Sequence, residues 1–319
     1  MQPENPFLKH TQIEIPIICG PMYPCSNPEL IAAVSNSGAM GIVQPISLTY
    51  IHGFEFREGL RYIKSLTDRP IGMNALIEKS SSKYMKKMQE WIDIALEEGV
   101  RFFITSLGNP DWVVKKVHAY GGIVYHDVTE AKWTKIAMKA NVDGLIAVNS
   151  FAGGHAGLLD AKNLYESLKP YNLPIICAGG IGDSKSYHDA LKLGYNGVQM
   201  GTRFIASQEC SVPSAYKEAI VKAKKEDIVL TRQLTGIPLS VIKNRAKTPW
   251  YHLALQWLLQ HPRSKKLLRI FFALYALRHG KKSMQKKKTK DVQWVAGKSV
   301  QNINAIQSVQ SIINSFKNP

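Results

Sequence analysis

Apolar positions fall along this chain in two alternating patterns. Short continuous runs occur at Ile15–Cys19, Ile42–Ile46, Ile71–Leu76, Arg101–Ser106, Gly122–Tyr125, Gly144–Val148, Pro174–Ala178 and Gly197–Met200. Runs of this length, closed by Gly, Pro or Asn, predict strands buried on both faces. Between them lie longer stretches with polar and apolar positions at helical spacing. They cover Pro28 to Ser37, Glu55–Leu66, Ser82–Glu98, Asp111–Tyr120, Glu130–Ala140, Asp160–Leu168, Ser184–Leu193 and Pro213–Lys224. Asn27 before Pro28 suits an N-cap followed by a proline at the first helical position. Eight strands alternating strictly with eight helices predict a closed (β/α)8 TIM barrel. The rival, an open doubly wound sheet, needs a G-x-G-x-x-G turn after its first strand. Here the first strand ends in Gly20-Pro21-Met22.

Beyond Leu230 the pattern changes. Leu239–Lys247, Trp250–Leu259 and Ser264–Leu277 read as helices, and Leu267, Leu268, Phe271, Phe272, Leu274 and Tyr275 share one broad face of the third. Gly280 to Lys290 reads as a solvated basic run, Trp294 to Gly297 as a turn, and Val300–Phe316 as a final amphipathic helix. The expected organisation is a barrel over residues 1–230, a basic helical insertion or lid over 231–299, and a C-terminal helix over 300–319 that packs back on the barrel.

Charge sharpens this division. The chain has 319 residues, 45% of them hydrophobic, and a net charge of +17. Between Val241 and Lys290 there are fourteen Lys or Arg and no Asp or Glu. The barrel is then only mildly basic, which argues against nucleic-acid binding as its main role. Cys19, Cys25, Cys177 and Cys210 show neither metal-ligand spacing nor a disulfide framework, and no metal site is expected. No signal peptide or membrane-spanning run is evident, so the expected location is the cytoplasm.

The candidate chemistry lies between Asn141 and Phe204. Gly153-Gly154-His155, Gly179-Gly180 and Gly201-Thr202 follow the last three predicted strands. Glycines there let backbone N–H groups approach a ligand, and the late corners of such barrels hold phosphate. His155 is the imidazole of this trio and the candidate catalytic or substrate-facing group. Asn74 is a polar residue in an apolar strand, either a turn residue at the strand end or an amide that bonds a buried ligand. His126 and Asp127, after the fifth strand, are further candidates for the active face.

These blocks resemble a family. P-I-I-C-G-P-M, P-I-G-M-N, A-G-G-H-A-G, P-I-I-C-A-G-G-I and V-Q-M-G-T-R-F look like the nitronate monooxygenases, formerly 2-nitropropane dioxygenases, a family that also includes flavin-dependent enoyl-acyl-carrier-protein reductases and NADH:quinone reductases. The likeness runs in register from Ile15 to Lys224, and weakly through W-V-A-G-K-S-V. It implies an FMN-dependent oxidoreductase. Gly20, Pro21 and Met22 would lie along the isoalloxazine and Asn74 would bond to it. Gly153 and Gly154 would lie in the cofactor loop, and Gly179, Gly180, Gly201 and Thr202 would hold the phosphate. His155 matches the family's active-site histidine. Two positions depart from the pattern: Phe151 stands where many relatives carry a glutamate, and Asp127 where relatives often place a lysine near the flavin.

The implied substrate is an alkyl nitronate, with reduced flavin reacting with oxygen. The alternatives are an NAD(P)H-dependent reductase of enoyl-thioesters or quinones, and a non-catalytic FMN-binding membrane-associated protein. The basic segment Lys243–Lys290 has three readings: a solvated lid, a dock for an acidic carrier protein, or a contact with an anionic membrane surface. The sequence leaves the oligomeric state open.

Overall fold

A computed structural model describes residues 5–78, 81–243, 262–285 and 293–317. Its strands are β1 (Ile17–Cys19), β2 (Met40–Val43), β3 (Ile71–Leu76), β4 (Phe102–Ser106), β5 (Ile123–Val128), β6 (Gly144–Val148), β7 (Ile175–Ala178) and β8 (Gly197–Met200). They close into one parallel barrel in chain order, β8 pairing with β1 through Ile17–Val198, Ile18–Gln199 and Cys19–Met200. The helices that follow the strands are α2 (Pro28–Asn36), α3 (Phe56–Leu66), α4 (Ser82–Glu97), α5 (Asp111–His118), α6 (Ala131–Lys139), α7 (Ala161–Leu168), α8 (Ser184–Lys192) and, after a single turn α9 (Thr202–Ile205), α10 (Ser214–Lys222). The predicted barrel therefore stands, with most ends moved by one or two residues.

Alternation along each strand sorts the side chains into two cores. Ile17, Val43, Met73, Phe103, Val124, Leu145, Cys177 and Val198 point outward, under the helices. Ile18, Met40, Ile42, Phe102, Ile104, Tyr125, Ile146, Ile176 and Ala178 fill the barrel interior. Helix α1 (Pro6–Thr11), not anticipated from sequence, plugs the amino-terminal end of that interior. Its Phe7 is fully buried and packs edge-on against Phe102 at 6.0 Å and tilted against Tyr125 at 5.6 Å.

Several expectations beyond the barrel are corrected. Leu239–Lys247 does not begin as a helix: Leu239–Ile242 is strand β10, antiparallel to β9 (Ile228–Thr231). The period there is two, since Leu239 and Val241 enter a small cluster with Leu234, Val229 and Val295. A boundary at residue 230 would cut through β9. The final helix is shorter than expected. A 3-10 turn at Lys298–Asn302 precedes α12 (Val309–Lys317), and before that turn come α11 (Pro262–Gln285) and the return segment 293–297. Gly280 is not part of a solvated run. It is buried within α11, where a Cβ would strike the Tyr23 ring, and the Tyr23 hydroxyl donates to the Leu277 carbonyl at 2.5 Å. Phe272 is buried while Phe271, Leu274 and Tyr275 are exposed, so the broad apolar face of α11 is divided. The expected helix Trp250–Leu259 and the lysines from 286 to 290 lie outside the described residues.

The return segment is stitched to the barrel. Trp294 stacks on Tyr216 at 5.0 Å, the Gly297 N–H donates to Thr202 Oγ1 at 2.9 Å, and Arg203 reaches the Ala305 carbonyl at 2.6 Å. Helix α12 buries Val309, Ile312, Ile313 and Phe316, and Phe316 meets Tyr187 of α8 edge-on at 5.4 Å. Among the described residues, no helix is long and apolar enough to cross a membrane.

Candidate active site

The carboxyl end of the barrel is built from the last inward position of each strand and the loop that follows. At β3 and β4 these positions are polar. Asn74 Nδ2 donates to the Ile104 carbonyl at 3.1 Å and to Ser106 Oγ at 3.2 Å. Ser106 Oγ donates in turn to Asp127 Oδ2 at 2.6 Å. Asn74 is thus a buried amide within a polar network, not a turn residue.

Strand β5 extends to Val128, three residues beyond the predicted end, and this puts the two candidates for the active face on opposite sides of the sheet. Asp127 shares its face with Tyr125 and points into the barrel. His126 points the other way, between strands and helices, and hydrogen-bonds through Nδ1 to Thr105 Oγ1 at 2.8 Å. Burial lowers its pKa to about 4, with the Thr105 contact opposing. His126 is therefore a neutral structural residue and does not reach the active face. Asp127 is pushed up to about 6 by burial, with the hydrogen bond from Ser106 pulling down.

Among the described residues, two acceptors at this end are buried without a partner: Asp127 Oδ1 and Gln199 Oε1. Gln199 is the last inward residue of β8 and lies so close to Gly20 that a Cβ there would meet its Cγ at 2.9 Å. Sequence reasoning passed over Gln199. The signal was present, a single amide in an otherwise apolar run.

The glycine loops lie at one rim, and several of the glycines have a reason in the fold itself. Gly179 has φ +120, and a Cβ would strike Asn149 Oδ1 at 2.4 Å, so this glycine is required by the fold itself. Gly153 lets its loop approach the return segment, where a Cβ would meet the Gly297 nitrogen at 2.9 Å. Gly154 pairs with β10, accepting from the Ser240 N–H at 2.9 Å. Gly180, at φ +87, and Gly201 leave bare backbone at the corners after β7 and β8, and Thr202 is buried beside them. Gly201 faces the Met22 side chain, which brings the β1 loop of Gly20, Pro21 and Met22 to the same rim.

His155 sits on that rim. Part of its ring meets solvent, while the loop before β10 encloses the rest. Its Nδ1 lies 3.0 Å from the Pro238 carbonyl. A carbonyl only accepts, so Nδ1 carries the proton and Nε2 keeps a lone pair. Desolvation by the surrounding loops lowers the pKa of His155, with the Pro238 contact opposing. Phe151, two residues past Asn149, carries Lys225 Nζ at 4.6 Å and Lys298 Nζ at 4.9 Å from its ring centre. A shallow depression lined by Pro6, His10, Asp143 and Asn196 lies at the opposite, amino-terminal end and shares none of these groups. Among the described residues, no cluster of His, Cys, Asp or Glu could hold a metal ion.

Comparison with known proteins shows the family and the fold. The profile of the family described as nitronate monooxygenase matches residues 5–318. A carboxyl-CoA dehydrogenase of Rhodococcus jostii, acting on a hydroxy-methyl-oxo-octahydroindene, is 29% identical over 72% of this chain, and the match spans 63% of that protein. A probable nitronate monooxygenase of Staphylococcus saprophyticus is 28% identical over 73% of this chain and 76% of its own. Among solved structures, FabK of Thermotoga maritima superposes with a TM-score of 0.78 at 27% identity, covering 98% of this chain and 96% of that one. Nitroalkane oxidase of Streptomyces ansochromogenes shares the fold, with a TM-score of 0.74 at 19% identity over 96% and 95% of the two chains. This chain belongs to the nitronate monooxygenase family and is an oxidoreductase.

Proposed function

Taking that membership as the premise, we propose that the carboxyl end of the barrel binds FMN and that the chain oxidises small alkyl nitronates with oxygen. The observation that carries this is the pairing of bare backbone at Gly180 and Gly201-Thr202 with two buried, unpartnered acceptors, Asp127 Oδ1 and Gln199 Oε1. A phosphate suits the first and the N–H edge of a heteroaromatic ring suits the second. Gly179 shapes the phosphate corner, and Thr202 Oγ1 can turn to it. Gly20, Pro21 and Met22 form the wall along the ring, and Asn74 holds the polar floor through Ser106. Gly153 and Gly154 carry His155 into place. The flavin, when bound, supplies the two-electron chemistry and the reaction with oxygen. His155 would hold or take a substrate proton at Nε2, because its Nδ1–H is committed to Pro238.

The test is anaerobic bleaching of the reconstituted holoprotein. Loss of flavin colour on adding a nitronate alone, without NAD(P)H, supports the reading. A spectrum unchanged by nitronates sinks it.

A second reading is an NAD(P)H-dependent reductase of thioesters. Lys225 and Lys298 crowd the Phe151 ring at the rim, and neither has an acidic partner within 4.0 Å among the described residues. Paired cations at a site mouth suit the phosphates of a CoA or carrier-protein arm. The similarity to a CoA-ester dehydrogenase and to FabK supports it. Bleaching by NADH or NADPH only, followed by reoxidation with an enoyl-thioester, would select this reading.

A further inference from the structure

Asp127 is the last inward residue of β5, and its hydrogen bonding is half complete. Oδ2 accepts from Ser106 at 2.6 Å, while Oδ1 is buried with no partner. A buried carboxyl oxygen left unpaired is costly, and a fold keeps one where a ligand completes it. Among the described residues the surroundings offer no internal alternative. From β4 it is faced by Ser106, from β3 by Asn74 through that serine, and from β6 by Ile146 and Val148, which share the inward face. None of these titrates. No charged side chain contributes to the Asp127 equilibrium, His126 points away, and His155 belongs to the next loop.

We propose that Asp127 is a positioning residue that meets the polar edge of the bound flavin ring through Oδ1 and thereby makes the cofactor's reduction potential depend on pH. This rests on the flavin reading above. When ionised, Oδ1 accepts a hydrogen bond from a ring N–H; when protonated, the carboxyl donates one. Burial has already moved its titration up to about 6, so both forms are reached in ordinary buffers. The sign follows from charge. Above that pH a carboxylate lies beside a ring that gains negative charge on reduction, and reduction is disfavoured. Below it the neutral acid removes that penalty.

The experiment compares the FMN-loaded wild type with Asp127→Asn by dye-equilibrated potentiometry between pH 5 and 8. At pH 8 the variant's reduction equilibrium should lie at least tenfold toward the reduced form, about 30 mV for a two-electron couple. At pH 5 the two proteins should agree. The oxidised flavin spectrum of the wild type should also change in one step near pH 6, and the variant should lack that step. Equal potentials at pH 8, or a difference independent of pH, overturn the proposal.

If Asp127→Asn does not fold, Ser106→Ala serves. It removes the hydrogen bond that holds the pKa down, so the spectral step must move to higher pH, and an unmoved step is equally fatal. Failures at the two levels are distinguishable. Protein that stays colourless with FMN overturns the flavin reading and this proposal together, whereas coloured protein with coincident potentials overturns only the role of Asp127.

Discussion

The two ends of the barrel are made from the same eight strands and have opposite character. At the amino-terminal end Phe7, Phe102 and Tyr125 fill the interior with aromatic rings, and the Tyr125 hydroxyl is bonded to His10 Nδ1 at 3.0 Å. Toward the carboxyl end the polar inward residues are Asn74, Ser106, Asp127 and Gln199, and two of their oxygens have no partner among the described residues. One end is satisfied as a folded object, and the other keeps buried acceptors without a partner among the described residues. The contrast follows from the general division of these barrels, in which one rim serves stability and the other chemistry. Here it can be read residue by residue along a single strand, from Tyr125 to Asp127.

Variants can break this contrast, starting with the largest effect. Phe7→Ala empties the plug at the amino end and should cost about 3–5 kcal/mol, the range for a buried phenylalanine. Chemical denaturation would measure it, and the surviving folded protein should bind FMN with unchanged affinity. A loss of FMN affinity equal to the loss of stability would mean that the two ends are not separable. At the other end, His155→Ala should reduce turnover by roughly 10²- to 10⁴-fold, the usual contribution of a proton-transferring side chain. Its melting temperature should stay near that of the wild type, because the ring is partly open to solvent. A normal rate in steady-state assay would remove His155 from the site.

Subtler variants sharpen the comparison. Gly180→Ala places a side chain at φ +87, with its Cβ 3.4 Å from the Phe151 Cβ. Strain of about 1–3 kcal/mol should appear as weaker FMN binding by fluorescence titration, with only a small change in stability of the flavin-free protein. The last effect is read against pH and concerns His126. Its folded pKa lies near 4, below the ordinary value, so its contribution to stability is present above about pH 6.5 and is lost as pH falls toward 4. His126→Gln should flatten the acid limb of stability by up to about 1.4 kcal/mol per pH unit in that window. Equal slopes in urea melts at pH 6.5 and 4.5 for both proteins would show that the unfolded chain does not gain a proton there.

Much of this architecture was legible because buried parallel strands are continuous apolar runs. Ile71–Leu76, Gly144–Val148 and Gly197–Met200 begin and end where the apolar runs do. β5 was cut short because His126 and Asp127 interrupt its apolar run. Alternation is the better guide there: Tyr125 and Asp127 share one face, Val124, His126 and Val128 the other. The strand at Leu239–Ile242 was read as helix because four residues fit either period, and its pairing with β9 and with Val295 is a long-range fact. The glycine corners and His155 were found from their place after strands. The unpartnered Gln199 and the reason for Gly153 were not, since both depend on which backbone lies opposite.

The stitch between Thr202 and Gly297 carries a consequence for biogenesis. The corner that would hold the phosphate is closed by a residue 95 positions downstream, while Arg203 reaches further still, to Ala305. A ribosome therefore releases all eight barrel strands well before the groups that shape this corner have emerged. The corner therefore takes its final shape only after the return segment has been made, while the barrel's interior core, all upstream of it, can pack earlier.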